Sequence, residues 1–209
     1  MIKHILLLIL FMYFGTLFSQ DSIEYKKYDF EKLGIGMSPS AVMNIFPALQ
    51  FSVDARMMER VNFTGELGYI FNGSYSNSWT QGIRVKSGFQ YLISRRHTSG
   101  TTMGLLLLYR YSKENHEYKD YHSDAGYYEL KEYKRNRQLY GMMLSLGTMS
   151  QYTEKIIFEF GGAIGLGHLE IRDDDGLSRS TGWFGYNGTG EFSIPLFSIN
   201  INFRYMINR

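Results

Sequence analysis

The chain has no cysteine and only 3 prolines in 209 residues. Without cysteine there is no disulfide and no lipid-modified N-terminal cysteine. Scarce proline leaves long segments free to donate every backbone N–H to a strand ladder. Charge of one sign is also lacking. The formal net charge is +2, which argues against a nucleic-acid binder with its strong basic excess. Past residue 20 no apolar run approaches the ~20 residues of a membrane helix. A membrane-embedded mature chain would therefore have to be a closed barrel.

What is abundant fits that alternative. There are 17 tyrosines, 15 phenylalanines and 22 glycines, a composition suited to strands with aromatic ends. The first twenty residues stand apart. Lys3 and His4 open a short basic start, Ile5 to Leu17 is almost wholly apolar, and Ser19-Gln20 closes it. This is the pattern of a secretory signal peptide, and it predicts cleavage near Gln20. The expected organisation is a leader over 1–20, a charged periplasmic lead-in over 21–31, and one domain over 32–209.

Period-2 alternation recurs through that domain. Leu49, Phe51, Val53 and Ala55 alternate with Gln50, Ser52, Asp54 and Arg56. After a tight turn at 57–60, Val61, Phe63, Leu67, Tyr69 and Phe71 oppose Asn62, Thr64, Glu66 and Gly68. The same pattern sets Ile83, Val85, Phe89, Tyr91 and Ile93 against Arg84, Lys86, Gly88 and Gln90. Residues 103–111 read as a strand whose alternation weakens over the apolar run 105–108. Strands follow at 135–148 and from Ile156 onward, and the last sets Phe197, Ile199, Ile201, Phe203 and Tyr205 against Ser198, Asn200, Asn202 and Arg204. With a first strand near Leu33–Met37 the count is about eight. The fold class is all-β, an antiparallel up-and-down transmembrane β-barrel.

Three features choose a membrane barrel over a soluble one. Links near Met58, His97 and Thr153 are short, whereas those near Ser76, Asp120 and Gly182 are longer, as periplasmic turns and external loops are. Glycine recurs on the polar face at Gly68, Gly88, Gly141, Gly147, Gly161 and Gly165, making room in a narrow interior. Tyrosines gather at strand ends, as aromatic girdles do. The polar face then lies inside. Asp54, Arg56, Glu66, Arg84, Lys86, Arg110, Arg137, Glu159 and Arg204 are expected to pair there as a charged plug, because unpaired buried charge is costly.

The leader ending Ser19-Gln20, the strand Pro47-Ala48-Leu49-Gln50-Phe51-Ser52-Val53, the run Gly65-Glu66-Leu67-Gly68-Tyr69 and the C-terminal Ile201-Asn202-Phe203-Arg204-Tyr205 resemble the outer-membrane β-barrel domain family of small Bacteroidetes proteins. The likeness covers nearly all the mature chain. It implies a bacterial outer-membrane location and barrel geometry rather than a reaction. One departure is the end, where Ile207 is followed by Asn208 and Arg209 instead of a terminal aromatic residue.

Candidate chemistry is sparse. His168 and Glu170 share one side of a strand, as a lipid acyl hydrolase would need, but no His-x-Ser-Asn motif accompanies them. The run Asp173-Asp174-Asp175-Gly176 lacks the rest of a calcium loop. Tyr118, Tyr121, Tyr127 and Tyr128, in the charged segment 113–134, and Trp183, Phe184 and Tyr186, in a later loop, form a possible interaction patch. The expectation is a non-enzymatic outer-membrane barrel with no cofactor and no metal. Its partners would be outer-membrane lipid and, through its loops, another envelope protein. A lipid A-modifying enzyme and a subunit of an assembly or export complex are the alternatives.

Overall fold

A computed structural model describes residues 33–39, 48–71, 80–95, 99–122, 127–153, 155–174 and 189–207. The leader and the lead-in, 1–31, lie outside them. The described residues form β1 (Leu33–Met37), β2 (Ala48–Met58), β3 (Val61–Phe71), β4 (Thr80–Arg95), β5 (Ser99–His122), β6 (Tyr127–Gln151), β7 (Ile156–Asp173) and β8 (Gly190–Ile207). Each strand pairs antiparallel with the next, and β1 pairs with β8, closing the barrel. No edge remains at the seam, where Gly36 faces both Ser52 and Arg204.

The register sets the size of the barrel. A path of paired residues runs from Gly36 through Ser52, Glu66, Lys86, Leu108, Gly141 and Gly167 to Ile194. Gly36 itself pairs with Arg204, so the path closes with a shear of 204 − 194 = 10 residues. Eight strands with that shear tilt by roughly 40° and enclose a backbone cylinder of about 8 Å radius. Side chains fill such a space.

Leu33 pairs with Ile207, so both termini of the described chain lie at the same end as the short connections from β2 to β3, β4 to β5 and β6 to β7. The opposite end carries the connections after β1, β3, β5 and β7. There β5 pairs with β4 no further than Glu114↔Thr80, and β6 pairs with β7 no further than Arg135↔Asp173. Pairing between β5 and β6 nevertheless continues to His122↔Tyr127. The charged segment 113–134 prolongs the β5–β6 hairpin as a two-stranded ribbon over 113–122 and 127–134. Its outer part, Asn115–His122 with Tyr127–Lys134, extends about 25 Å along its own strands beyond the pairing with β4 and β7.

The alternation decides which face is which. Gln50, Ser52, Asp54, Thr64, Glu66, Arg84, Lys86, Gln90, Glu159, Asn202 and Arg204 are all buried. Residues on the opposite strand faces, such as Phe51, Leu67, Phe89, Leu144, Ile164 and Phe197, are exposed, up to 77% for Phe197. The run 105–108 obeys the same rule, with Leu106 inside and Leu105 and Leu107 outside.

The interior is not polar throughout, which corrects the expectation of a charged plug alone. Leu92, Met149, Ile157 and Met206 form an apolar floor at the turn end. Above the charged layer, Leu106, Leu139, Met143, Leu169, Ile171, Ile194 and Leu196 line the β5–β8 wall. Leu139 and Met143 share a strand face with Arg137, Gly141 and Ser145, so the inner face of β6 passes from charged to apolar along its length.

Candidate functional site

Two neighbouring clusters make up the lower charged layer. Glu66 on β3 faces Lys86 on β4 in register, and their side chains meet at 2.7 Å. Gln50 Nε2 donates to the same carboxylate at 2.6 Å. Lys86 also donates to Asn200 Oδ1 across the lumen at 3.1 Å, tying β4 to β8. The second cluster centres on Arg204. It contacts Asp54 at 2.9 Å and forms a close ion pair with Glu159. The Asp54 contact lacks hydrogen-bond alignment, so it acts as charge against charge. Glu159 further accepts from Gln90 at 3.1 Å and from Asn202 at 3.0 Å. These bonds span β2, β4, β7 and β8, so the cluster cross-braces the cylinder. Buried charge persists only when paired and hydrogen-bonded in this way.

The remaining predicted interior residues sit elsewhere. Arg56 lies half-exposed at the turn-end rim, where it donates to the carbonyls of Met58 and Glu59. Arg84 and Arg110 face each other in register on the inner wall. Arg137 approaches Glu114 at 3.2 Å near the loop end. That mouth holds a third cluster, which the sequence reading missed. Glu114 contacts His116 at 2.8 Å, and Arg135 grips Asp173 with two bonds of 2.8 and 2.9 Å. His116 stacks on Tyr133 with ring centroids 5.2 Å apart, and Arg135 lies over the same ring. No apolar–polar alternation marked this cluster, because residues 112–117 are polar at every position.

The described part of the acidic run, Asp173 and Asp174, is absorbed into this pairing. Asp173 serves Arg135, and Asp174 Oδ1 accepts from the backbone N–H of Lys134 at 2.8 Å. Among the described residues no group of three metal-ligating side chains converges. Of the predicted interaction patch, Tyr127 and Tyr128 are 53% and 68% exposed on the ribbon. Tyr118 and Tyr121 lie on its other strand, paired with Lys131 and Tyr128. Trp183, Phe184 and Tyr186 fall outside the described residues.

Outside the barrel, the rim holds a polar group above the apolar wall. Row by row across β6, β7 and β8, Tyr140, His168 and Ser193 align, and above them Gln138, Glu170 and Glu191. His168 packs against the Tyr140 ring at 5.0 Å, and its Nε2 lies 3.6 Å from Glu191. Arg172 forms an ion pair with Glu170. Sequence reading joined His168 to Glu170, two residues away. It missed Ser193, which is distant in sequence and adjacent only through the strand register. The chain matches no protein-family model, no curated protein and no solved structure.

Proposed function

We propose that the barrel spans a bacterial outer membrane and serves the envelope through the surface it raises at its loop end. The observation that carries this reading is the belt of exposed apolar side chains around a cylinder whose charges point inward. A soluble monomer rarely exposes a contiguous apolar patch beyond a few hundred Å². Here Leu, Ile, Phe and Met face outward on all eight strands. From Val61 to Phe71 the outward face of β3 climbs about 25 Å at a tilt of roughly 40°, the height of an outer-membrane apolar band. Aromatic residues gather near its two borders. Tyr69, Tyr109 and Tyr140 lie toward the loop end, with Tyr109 and Tyr140 directly opposite each other. Tyr91, Phe158, Phe203 and Tyr205 lie toward the turn end, where Phe158 and Phe203 pack at 5.2 Å. Lipid contacting this belt would be the first partner.

The ribbon supplies the second contact surface. Tyr127, Tyr128 and Leu130 are exposed on it, and tyrosine offers large amphipathic contact at low entropic cost. The partner class this fits is another envelope protein, including the larger barrel of an assembly or export complex. A filled lumen of about 8 Å backbone radius leaves no wide aqueous path. The other reading, a lipid-modifying activity, is favoured by one observation, the register that sets Ser193 beside His168 at the upper border of the belt.

The membrane reading is tested by SDS gel mobility of the outer-membrane fraction with and without boiling. A faster band that shifts on heating is the expected result. Recovery in the soluble periplasmic fraction with no shift would overturn it.

A further inference from the structure

We infer that the outward face of β7 and β8, at the upper border of the apolar belt, is a serine hydrolase site for long-chain acyl esters of a membrane lipid. The inference rests on the membrane-spanning reading. Ser193 is its nucleophile, His168 its general base, and Glu191 the carboxylate that orients the imidazole.

Three arrangements support the assignment. Directly opposite residues of an antiparallel pair hold their Cβ atoms about 4.5–5.5 Å apart. His168 and Ser193 are such a pair, so the serine and the imidazole are neighbours on the same outward face. Glu191 lies 3.6 Å from Nε2, which leaves Nδ1 for the serine. The second carboxylate of the row, Glu170, is taken by Arg172. Glu191 is then the acid left beside the histidine, and a serine, a histidine and a carboxylate, the residue types acyl transfer uses, lie together on this face.

Position supplies the substrate class. Immediately below the Tyr140–His168–Ser193 row come Met142, Leu166 and Pro195, then Leu144, Ile164 and Phe197. Leu166 and Phe197 are 75% and 77% exposed. A lipid lying against this wall keeps its acyl chain on the apolar rows and its ester carbonyl at the height of Ser193. The Ser193 Oγ–H proton passes to His168 as Oγ bonds the carbonyl carbon. Collapse of the tetrahedral oxyanion breaks the ester C–O bond, and His168 returns the proton to the departing alkoxide. Water then attacks the acyl-serine, with His168 accepting its proton and giving it back to Ser193 Oγ. The net change is ester plus water to fatty acid plus alcohol.

The test uses the full chain refolded in detergent, a hexadecyl fluorophosphonate probe, and p-nitrophenyl palmitate in mixed micelles. One phosphonyl group on Ser193, located by peptide mass spectrometry, is expected, together with palmitate release at least about tenfold faster than acetate release. Ser193→Ala should abolish labelling. His168→Gln should slow labelling and turnover by about a hundredfold or more, and Glu191→Asp should retain turnover that Glu191→Ala loses. Heat-modifiable migration of each variant reports that it is folded. A folded wild-type protein that takes up no probe, or labelling indifferent to His168→Gln, overturns the site. Vesicle flotation separates the two readings. A barrel that floats but is never labelled loses the hydrolase and keeps the membrane. A chain that is labelled at Ser193 without floating keeps the site and loses the membrane.

Discussion

At the scale of single residues, Glu159 is the side chain on which the lower interior depends. It accepts from Arg204, Gln90 and Asn202 together. Removing it leaves a buried guanidinium with the unaligned Asp54 contact and a weak bond to Met149 Sδ. Glu159→Ala should therefore cost about 3–5 kcal/mol, read as a lower urea midpoint for the heat-modifiable form. Glycine positions give a second comparison. A Cβ on Gly88 would stand 2.0 Å from the Leu105 carbonyl oxygen and 2.9 Å from the Leu106 Cα. Neither backbone atom can yield without parting β4 from β5. A Cβ on Gly68 would meet only ordinary contacts at 3.5 Å. Gly88→Ala should depress the yield of folded barrel in refolding assays, and Gly68→Ala should leave it near wild type. Both glycines were legible in the sequence as small residues on the polar face. Their unequal tolerance was not, because it depends on how closely the neighbouring strand approaches.

At the scale of elements, the ribbon of β5 and β6 is separable from the barrel. Among the described residues its outer half pairs only with itself. His116 and Tyr133 face each other directly, so residues 117–132 can be replaced by a two-residue Asn-Gly turn, which suits an antiparallel hairpin. The shortened protein should still shift on heating, with its urea midpoint changed by no more than about 0.5 kcal/mol in stability. It should lose capture of any partner that the full chain retains in mild detergent. Length was where sequence reading failed for this element. It read as strand over 103–111, where the alternation weakens at 105–108, and over 135–148. Beyond those limits charge and tyrosine dominate the sequence, and among the described residues the outer stretch pairs with no strand of the barrel wall. Period-2 patterning disappears when neither side of a strand is a core, although the ladder of hydrogen bonds continues.

At the scale of the whole molecule, the outward belt makes a depth-dependent prediction. Leu144 and Gln138 are both outward on β6, Leu144 amid the apolar rows and Gln138 above the Tyr109–Tyr140 border. Leu144→Arg should reduce the stability of the membrane-inserted barrel by about 2–4 kcal/mol, and Gln138→Arg by no more than about 1 kcal/mol. Equal effects, measured by reversible unfolding in vesicles, would contradict a lipid-facing belt. The alternation of apolar and polar residues by itself pointed to about eight strands and to the two faces of each, because side chains in a strand must point to opposite sides. It also placed Asp54, Glu66, Lys86, Glu159 and Arg204 on one common surface. Only the tertiary structure decided which of these meet, since a shear of ten residues carries β2, β4, β7 and β8 to the same depth and no local pattern encodes that offset. The same closure put an apolar wall inside the loop half of the lumen and drew Ser193 beside His168 on the outside. Both follow from register between strands, a property of paired chains that no single strand contains.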